Sequence, residues 1–294
     1  MELYGQEMKK ESSSKKTIVV FAVILLLAAA LWAWLRTIDF RKEIQLPVLM
    51  YHSVIDGGQS YSISPAELER HLAALKENGY TAVSFDDVKA YVNQRKKLPD
   101  KPIVISFDDG YENNFTEAYP VLKKYDMPAT IFVIGKSLGR TVYTDGKPMT
   151  PHFSKAQAEE MTSEGLIDIQ SHTFGLHQVE GRDPDPIRKG VLKKDVESAT
   201  EYYDLLKKDN ELWTEALGFA PTVLSYPEGL FDDLSEESFK KLGIEITCTS
   251  EYKMNTIVQG LPESLRTLGR VDADGISAEE LIAALNGFQT DKSN

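Results

Sequence analysis

The sequence contains a single cysteine among its 294 residues, so no disulfide can form within the chain. Cys248 lies in a strand-like apolar run, which favours a buried structural thiol over a reactive nucleophile. One cysteine also excludes a thiolate-rich zinc site. Any metal bound by this chain must therefore use imidazole and carboxylate ligands.

Positive charge is also scarce, because the chain has a formal net charge of −12. Nucleic acids and anionic lipid surfaces both require basic surface, so the composition argues against either as a partner of the main domain. A neutral or cationic polymer is compatible with an acidic protein. No feature of the sequence indicates a protein partner.

Only one hydrophobic run is long enough to cross a bilayer, the uncharged segment Thr17–Leu35. Lysines before it predict a cytoplasmic tail over residues 1–16, a single-pass anchor in the cell membrane and an extracytoplasmic main domain. A linker over residues 36–45 would then lead to one domain over residues 46–294. The alternative is a cleaved signal peptide with a small-residue site at Ala28–Ala30. Because the apolar run continues past that site, the sequence favours the anchor.

The rest of the chain alternates short apolar strand patterns with amphipathic helical ones. This alternation predicts an α/β domain with a parallel sheet, either open or closed into a barrel. Active sites in such folds are built from loops at the carboxyl ends of the strands. Side chains directly after predicted strands are therefore the candidates for function.

The strongest candidate is the pair Asp108 and Asp109, which follows the apolar strand pattern 102–107 and precedes Gly110. Two adjacent carboxylates at a buried strand end are costly without a cation. A metal could bind one carboxylate and leave the other as a free base. A similar pair, Asp86-Asp87, lacks the glycine, and there we predict that one of the two aspartates caps a helix.

A second candidate is the segment Ser171–His177, which holds two of the five histidines of the chain. It also follows a strand pattern, and Gly175 allows a turn that could direct both imidazoles at one point. With Asp109, His172 and His177 would form a set of two imidazoles and one carboxylate with open positions, as in catalytic zinc sites. The alternative is two unrelated surface histidines.

Two weaker signals also follow strand patterns: His52, and the turn that begins at Tyr226-Pro227. Together with the Ser-Phe-Asp-Asp-Gly and Ser-His-Thr-Phe-Gly-Leu-His motifs, they resemble the polysaccharide deacetylases of carbohydrate esterase family 4. The spacing of the histidines and the opening Pro-Val-Leu-Met-Tyr-His are similar to the poly-N-acetylglucosamine deacetylase branch. The resemblance implies a distorted (β/α) barrel of the NodB-homology type. It also implies metal-dependent hydrolysis of N-acetyl groups on a cell-envelope or extracellular polysaccharide.

The resemblance also implies roles for individual residues. Asp108 would be the general base. A divalent metal, with zinc favoured, would be held by Asp109, His172 and His177.

Four further residues would contact the substrate or the reacting atoms. The backbone N–H near Tyr111 would help to bind the oxyanion, and Tyr226 and Pro227 would line the sugar groove. His52 would lie in the pocket near the acetyl group.

The sequence departs from the family pattern at two points. No histidine follows His177, so the usual late histidine that protonates the amine is missing, and Ser225-Tyr226 stands where the third motif usually has an arginine. His52, Asp272 or protonated Asp108 could supply the proton instead. The departures also motivate a second hypothesis, a catalytically impaired glycan-binding module. A third is a metal amidohydrolase that acts on a small amide.

Overall fold

The computed structural model describes residues 23–30, 32, 42–58, 60–143, 145–177 and 198–290. The chain divides into two compact units, Met1–Lys42 and Glu43–Asn294. In the first unit, residues 23–30 and 32 are helical. Within the described ranges, no helix has both the length and the apolar character needed to span a membrane. The predicted tail over 1–16 and the remaining positions of the predicted anchor lie outside the described residues.

The second unit is built on eight parallel strands in the order β10-β9-β8-β7-β6-β2-β12, with β5 paired to the start of β6. Their bounds are β2 Val48–Tyr51, β5 Thr81–Ala82, β6 Pro102–Phe107, β7 Ala129–Val133, β8 Ile167–Ser171, β9 Val223–Ser225, β10 Ile246–Cys248 and β12 Val271–Asp272. Every residue of β2, β6 and β7 is buried, as expected for parallel strands covered on both faces.

Two strand pairs lie outside this sheet. β1 (Glu43–Leu46) pairs antiparallel with β11 (Asn255–Val258), and β3 (Ser53–Val54) pairs with β4 (Ser62–Ile63). β1 therefore begins inside the segment that the sequence suggested as a linker.

The two edges of the main sheet meet through the segment that precedes β12. Leu268 forms a bridge with Cys248 at the end of β10, and its N–H donates to the carbonyl of Thr247 at 2.7 Å. The carbonyl of Leu268 accepts from the N–H of Thr249 at 2.8 Å. The sheet therefore curls into a distorted barrel, and the predicted α/β architecture is confirmed.

Helices cover the outside of the sheet. Their bounds are α1 Pro65–Glu77, α2 Phe85–Gln94, α3 Tyr119–Tyr125, α4 Lys155–Ser163, α5 Ala199–Leu217, α6 Asp233–Lys241 and α7 Ala278–Thr290. In α1, Leu68, Leu72 and Leu75 recur at helical spacing and are fully buried against the sheet. Each such side chain contributes about 1.5–3 kcal/mol by leaving water.

The start of α2 corrects one sequence prediction. The N-cap of α2 is Ser84, whose hydroxyl accepts from the N–H of Asp87 at 3.1 Å. Asp87 occupies the third helical position, and its carboxylate accepts in return from the N–H of Ser84 at 3.0 Å. Neither Asp86 nor Asp87 is the cap itself. Serine is the better cap here because the reciprocal pair of Ser84 and Asp87 satisfies two backbone N–H groups at the helix terminus, whereas a single aspartate cap would satisfy fewer.

Parallel pairing brings the carboxyl ends of the central strands to one edge of the barrel. His52 directly follows β2, Asp108 follows β6, His172 follows β8 and Tyr226 follows β9. The N–H of Asp108 donates to the carbonyl of Tyr51 at 2.8 Å, which locks the first two of these loops together. The fold therefore gathers the predicted motifs at one place.

Candidate active site and metal centre

The loop after β6 turns sharply so that both of its carboxylates face inward. Asp109 and Gly110 have φ angles of 74° and 81°, in the left-handed region that is costly for a residue other than glycine. A Cβ on Gly110 would lie 3.2 Å from the side chain of Val133, so the position also lacks room for one. Asp108 and Asp109 are only 3% and 6% exposed.

Asp109, His172 and His177 form the centre of the site. Their potential ligand atoms lie within 4.8 Å of one another. Asp109 Oδ1 is 3.5 Å from His172 Nε2 and 3.6 Å from His177 Nε2. These separations exceed a good hydrogen bond, and this buried oxygen has no hydrogen-bond partner among the described residues. Three potential metal-ligand atoms therefore lie close together without forming good hydrogen bonds to one another.

The imidazole of His172 is held in the orientation that a ligand requires. Its Nδ1 lies 2.8 Å from the carbonyl oxygen of Ser225, which can only accept, so Nδ1 carries the proton. The lone pair of Nε2 then faces Asp109. Burial lowers the pKa of His172, which keeps the ring neutral and able to bind a cation.

Asp108 is paired with a buried arginine that the sequence analysis did not single out. Arg270 donates from Nη1 to Asp108 Oδ1 and from Nη2 to Asp108 Oδ2, both at 2.7 Å. Arg270 is 1% exposed, and its Nε donates to the carbonyl of Thr249 at 2.9 Å. A bidentate pair of this kind fixes both the position and the rotation of the carboxylate.

The pairing also sets the charge of Asp108. Burial alone would raise the pKa of Asp108, but the charge of Arg270 and its two hydrogen bonds bring the pKa well below its usual range. Asp108 is therefore ionised throughout the physiological pH range. The pKa of Asp109 is lowered as well, because His177 and His172 outweigh the effect of its burial.

His52 faces the same site from the end of β2. Its Nδ1 lies 2.7 Å from Asp274 Oδ2. Burial would lower the pKa of His52, but the hydrogen bond to Asp274, together with the charges of Asp108 and Asp109, raises it to about 9. At neutral pH His52 is therefore an imidazolium with a proton available on Nε2.

The acidic partner of His52 is Asp274. Asp272, which the sequence suggested as a possible proton donor, is not among the residues that line the cavity. Asp272 is exposed at the end of β12, and its Oδ1 accepts from the N–H of Asp274 at 3.1 Å. Asp272 thus shapes the loop, while Asp274 makes the contact with the imidazole.

One cavity of about 480 Å³ is lined by His52, Arg270, both carboxylates of the loop after β6 and both histidines of the candidate metal centre. Tyr111 and Tyr226 line it, and the Tyr226 hydroxyl donates to Glu236 at 2.8 Å. Pro227 is not among the lining residues, and its contact with the sugar stays a prediction. The turn that follows has Glu228 at a φ of 57°, and Glu228 and Gly229 line the cavity in its place.

Comparisons with known proteins agree with this geometry. Residues 95–247 match the sequence profile of the family described as Polysaccharide deacetylase. The chain is 34% identical to YxkH of Bacillus subtilis strain 168, which carries a provisional assignment as a polysaccharide deacetylase, over 78% of this chain and 72% of that protein.

The chain belongs to the polysaccharide deacetylase family.

Two further relatives of this deacetylase are themselves named as enzymes that remove N-acetyl groups. It is 27% identical to the poly-beta-1,6-N-acetyl-D-glucosamine N-deacetylase of Staphylococcus epidermidis, over 84% of this chain and 81% of that enzyme. The solved structure of a de-N-acetylase from Aggregatibacter actinomycetemcomitans superposes with a TM-score of 0.68 at 26% identity, covering 83% of this chain and all of that one. The resemblance stated from the motifs is confirmed at the level of the family.

The residues of the deacetylase fit a divalent metal. Two imidazoles and one carboxylate are a common catalytic donor set for zinc and also accept other divalent ions. The unpartnered Asp109 Oδ1 between two imidazole nitrogens is the arrangement that a shared cation would satisfy. The candidate metal centre is therefore Asp109, His172 and His177, as the sequence predicted.

Sequence reasoning missed Arg270 and Asp274 because neither lies in a motif that it recognised. Both occur in the segment 267–275, where the family pattern predicts a histidine and this sequence has none. One available signal was Arg270 itself, a charged residue that directly precedes an apolar strand position. The motifs did not include the two remaining histidines of the chain. His152 lines the cavity, whereas His71 is buried with its Nδ1 2.9 Å from the hydroxyl oxygen of Tyr51.

Proposed function

We propose that this polysaccharide deacetylase hydrolyses N-acetyl groups on an N-acetylhexosamine polymer of the cell envelope or extracellular matrix, with poly-N-acetylglucosamine as the first candidate. The observation that carries the proposal is the content of one cavity. It holds a candidate metal centre, an ionised carboxylate paired with Arg270, and a protonated His52 paired with Asp274. The likeness to the Staphylococcus epidermidis enzyme supports the choice of polymer.

A divalent metal, with zinc favoured, would be held by Asp109, His172 and His177. When bound, it would polarise the acetyl carbonyl and make a nearby water more acidic. This contribution matters because the low pKa of Asp108 makes that carboxylate a weak base on its own. The remaining steps belong to side chains of the chain itself.

Asp108 would accept a proton from the attacking water. Arg270 holds both carboxylate oxygens, so that the carboxylate cannot rotate away as the proton arrives. The backbone near Tyr111 would donate to the oxygen that gains charge in the transition state. These are the roles that the motifs implied for Asp108 and Tyr111.

His52 would protonate the departing amine. Its pKa of about 9 keeps it charged at neutral pH, and its contact with Asp274 directs Nε2 away from that carboxylate. His52, which directly follows β2, would thus take the part of the late histidine absent from the sequence. Arg270, which pairs with Asp108, would take the part of the arginine absent from the third motif. Both assignments favour a catalytic site over an impaired glycan-binding module.

The test is acetate release by the purified full-length chain, with and without a chelator. Poly-N-acetylglucosamine, chitin oligomers, peptidoglycan and monomeric N-acetylglucosamine serve as substrates. We expect release from a polymer, loss of release with chelator, and recovery when zinc is returned. Release from the monomer at an equal rate would favour the small-amide hydrolase instead.

The matched variants are Asp108→Asn and Asp86→Asn, which make the same change in two similar sequence contexts. Removal of a general base costs about 10²- to 10⁴-fold in rate. Asp86 is exposed and pairs with Lys89 at 2.8 Å, so its variant should keep full activity. Equal activity of the two variants would contradict the role proposed for Asp108.

The same proposal places the domain outside the cytoplasmic membrane, where envelope polymers lie, held by the predicted anchor over Thr17–Leu35. The uncharged character of that segment supports it. Protease added to intact cells should then digest the domain, and protection until the cells are lysed would contradict this placement.

A further inference from the structure

The turn between the two candidate metal-ligating histidines is neither helix nor strand, so its shape depends on contacts with other segments. Thr173 has a φ of 65°, an unfavourable value for a β-branched residue. The carbonyls of Thr173 and Phe174 accept from the N–H groups of Gly135 and Lys136 at 3.1 and 2.8 Å. These contacts hold the carbonyl side of the turn to the segment after β7.

The two central N–H groups of the turn are held by one carboxylate, that of Asp209. Asp209 Oδ2 accepts from the N–H of Phe174 and Oδ1 accepts from the N–H of Gly175, both at 2.9 Å. Asp209 is 1% exposed, so its charge is withdrawn from water and depends on such donors. Hydrogen bonds from backbone N–H groups to a buried carboxylate are among the stronger ones in proteins.

The helix that carries Asp209 is itself anchored to the sheet. Trp213, one turn further along α5, is fully buried, and its Nε1 donates to the carbonyl of Val133 at 2.9 Å. Val133 ends β7, and its carbonyl also accepts from the N–H of His172 at 2.9 Å. Asp209 thus connects the turn to a rigid support that reaches the same strand end as the site.

The two histidines differ in how they are held. His172 is fixed by its place at the end of β8 and by the carbonyl of Ser225. His177 has a buried Nδ1 with no hydrogen-bond partner among the residues described here. The position of His177 therefore depends on the backbone of the turn that leads to it.

We propose that Asp209 is a positioning residue for the metal centre: it holds the turn 173–176 in the shape that brings His177 to Asp109 and His172. The proposal rests on the proposed function in one respect, that these three residues bind a divalent metal. Asp209 touches neither metal nor substrate in this role. It acts through the backbone of the turn.

The experiment compares Asp209→Asn and Asp209→Ala with Ser84→Ala, all in the full-length chain. Asparagine keeps the shape and one accepting oxygen but turns an NH₂ toward the second N–H, and alanine removes both acceptors. Ser84→Ala removes the cap of α2, a change that lowers stability remote from the site. Affinities for Zn²⁺ and Co²⁺ are measured by competition with a chelator, and thermal unfolding is recorded without metal.

We expect weaker metal binding in the order wild type, Asp209→Asn, Asp209→Ala, with the alanine variant about 10- to 100-fold weaker than wild type, as is usual for residues that orient ligands. The visible spectrum of bound Co²⁺ should change in the Asp209 variants, because the contribution of His177 is altered. Ser84→Ala should lower the unfolding temperature and leave both metal affinity and spectrum unchanged.

Two outcomes would overturn the inference in distinguishable ways. If wild type binds metal and both Asp209 variants bind it equally well with the same Co²⁺ spectrum, Asp209 serves stability alone. If wild type binds neither ion, the proposed metal centre fails, and the inference fails with it. Acetate release is not needed for either decision.

Discussion

The substitution Asp274→Asn tests whether His52 is the proton donor. The carboxylate of Asp274 lies 2.7 Å from His52 Nδ1 and is the largest influence that raises the pKa of His52 to about 9. Asparagine keeps the size of the side chain and an oxygen that can accept from Nδ1, but it removes the negative charge. The variant therefore changes the charge near the imidazole with little change in shape.

The expected size of the effect follows from the strength of a charged hydrogen bond. Such a bond is worth about 1.5–3 kcal/mol, which corresponds to a fall of about one to two units in the pKa of His52. His52 is active when protonated, so activity is present below its pKa and is lost as pH rises through it. Wild-type activity should fall near pH 9, and the variant should lose activity at a correspondingly lower pH.

The assay is the pH dependence of kcat/KM for acetate release between about pH 6 and 10. Near pH 8.5 the variant should be about tenfold less active than wild type from loss of the proton alone, with a smaller difference near pH 6.5. Asp272→Asn is the matched control, because Asp272 is exposed and an asparagine oxygen can still accept from the N–H of Asp274. An alkaline limb that does not move in Asp274→Asn would refute the assignment of His52 as the acid.

Two further predictions concern stability. Arg270→Met should lower the free energy of unfolding by about 3–5 kcal/mol, because it leaves the buried Asp108 charge unpaired. Adding Asp108→Asn should recover part of this loss, as measured by chemical denaturation. Strictly additive losses in the double variant would contradict the pairing. Burial raises the pKa of Asp168 from 3.8 to about 6, so folding favours its protonated form and stability falls as pH rises between those values. After allowance for the partial exposure of the side chain, Asp168→Asn should therefore stabilise the chain by about 1–2 kcal/mol at pH 7.5 and have little effect near pH 3.5. An equal effect at both pH values would contradict the raised pKa of Asp168.

The metal set and the base could be predicted from local sequence because each is a short motif at the end of a recognisable strand. Asp108-Asp109-Gly110 follows six consecutive buried residues, and His172 and His177 share one turn. Parallel strands bring their carboxyl ends to the same edge, so the pattern of strands was sufficient to place these side chains together. The contrast with Asp86-Asp87 also held, although Ser84 rather than an aspartate caps that helix.

What the sequence by itself determined, then, is the family and the α/β architecture, and it also pointed to the residues that the fold gathers as three candidate ligands and a candidate base. Tertiary structure alone decided their partners. Arg270 contacts Asp108, which is 162 positions away in the sequence, and Asp274 contacts His52, which is 222 positions away. Such pairs carry no local periodicity or spacing, because closure of the barrel, not neighbourhood in sequence, brings them into contact. The same reason hid Asp209, whose place in a charged helical segment gave no sign that its carboxylate holds the turn between two histidines.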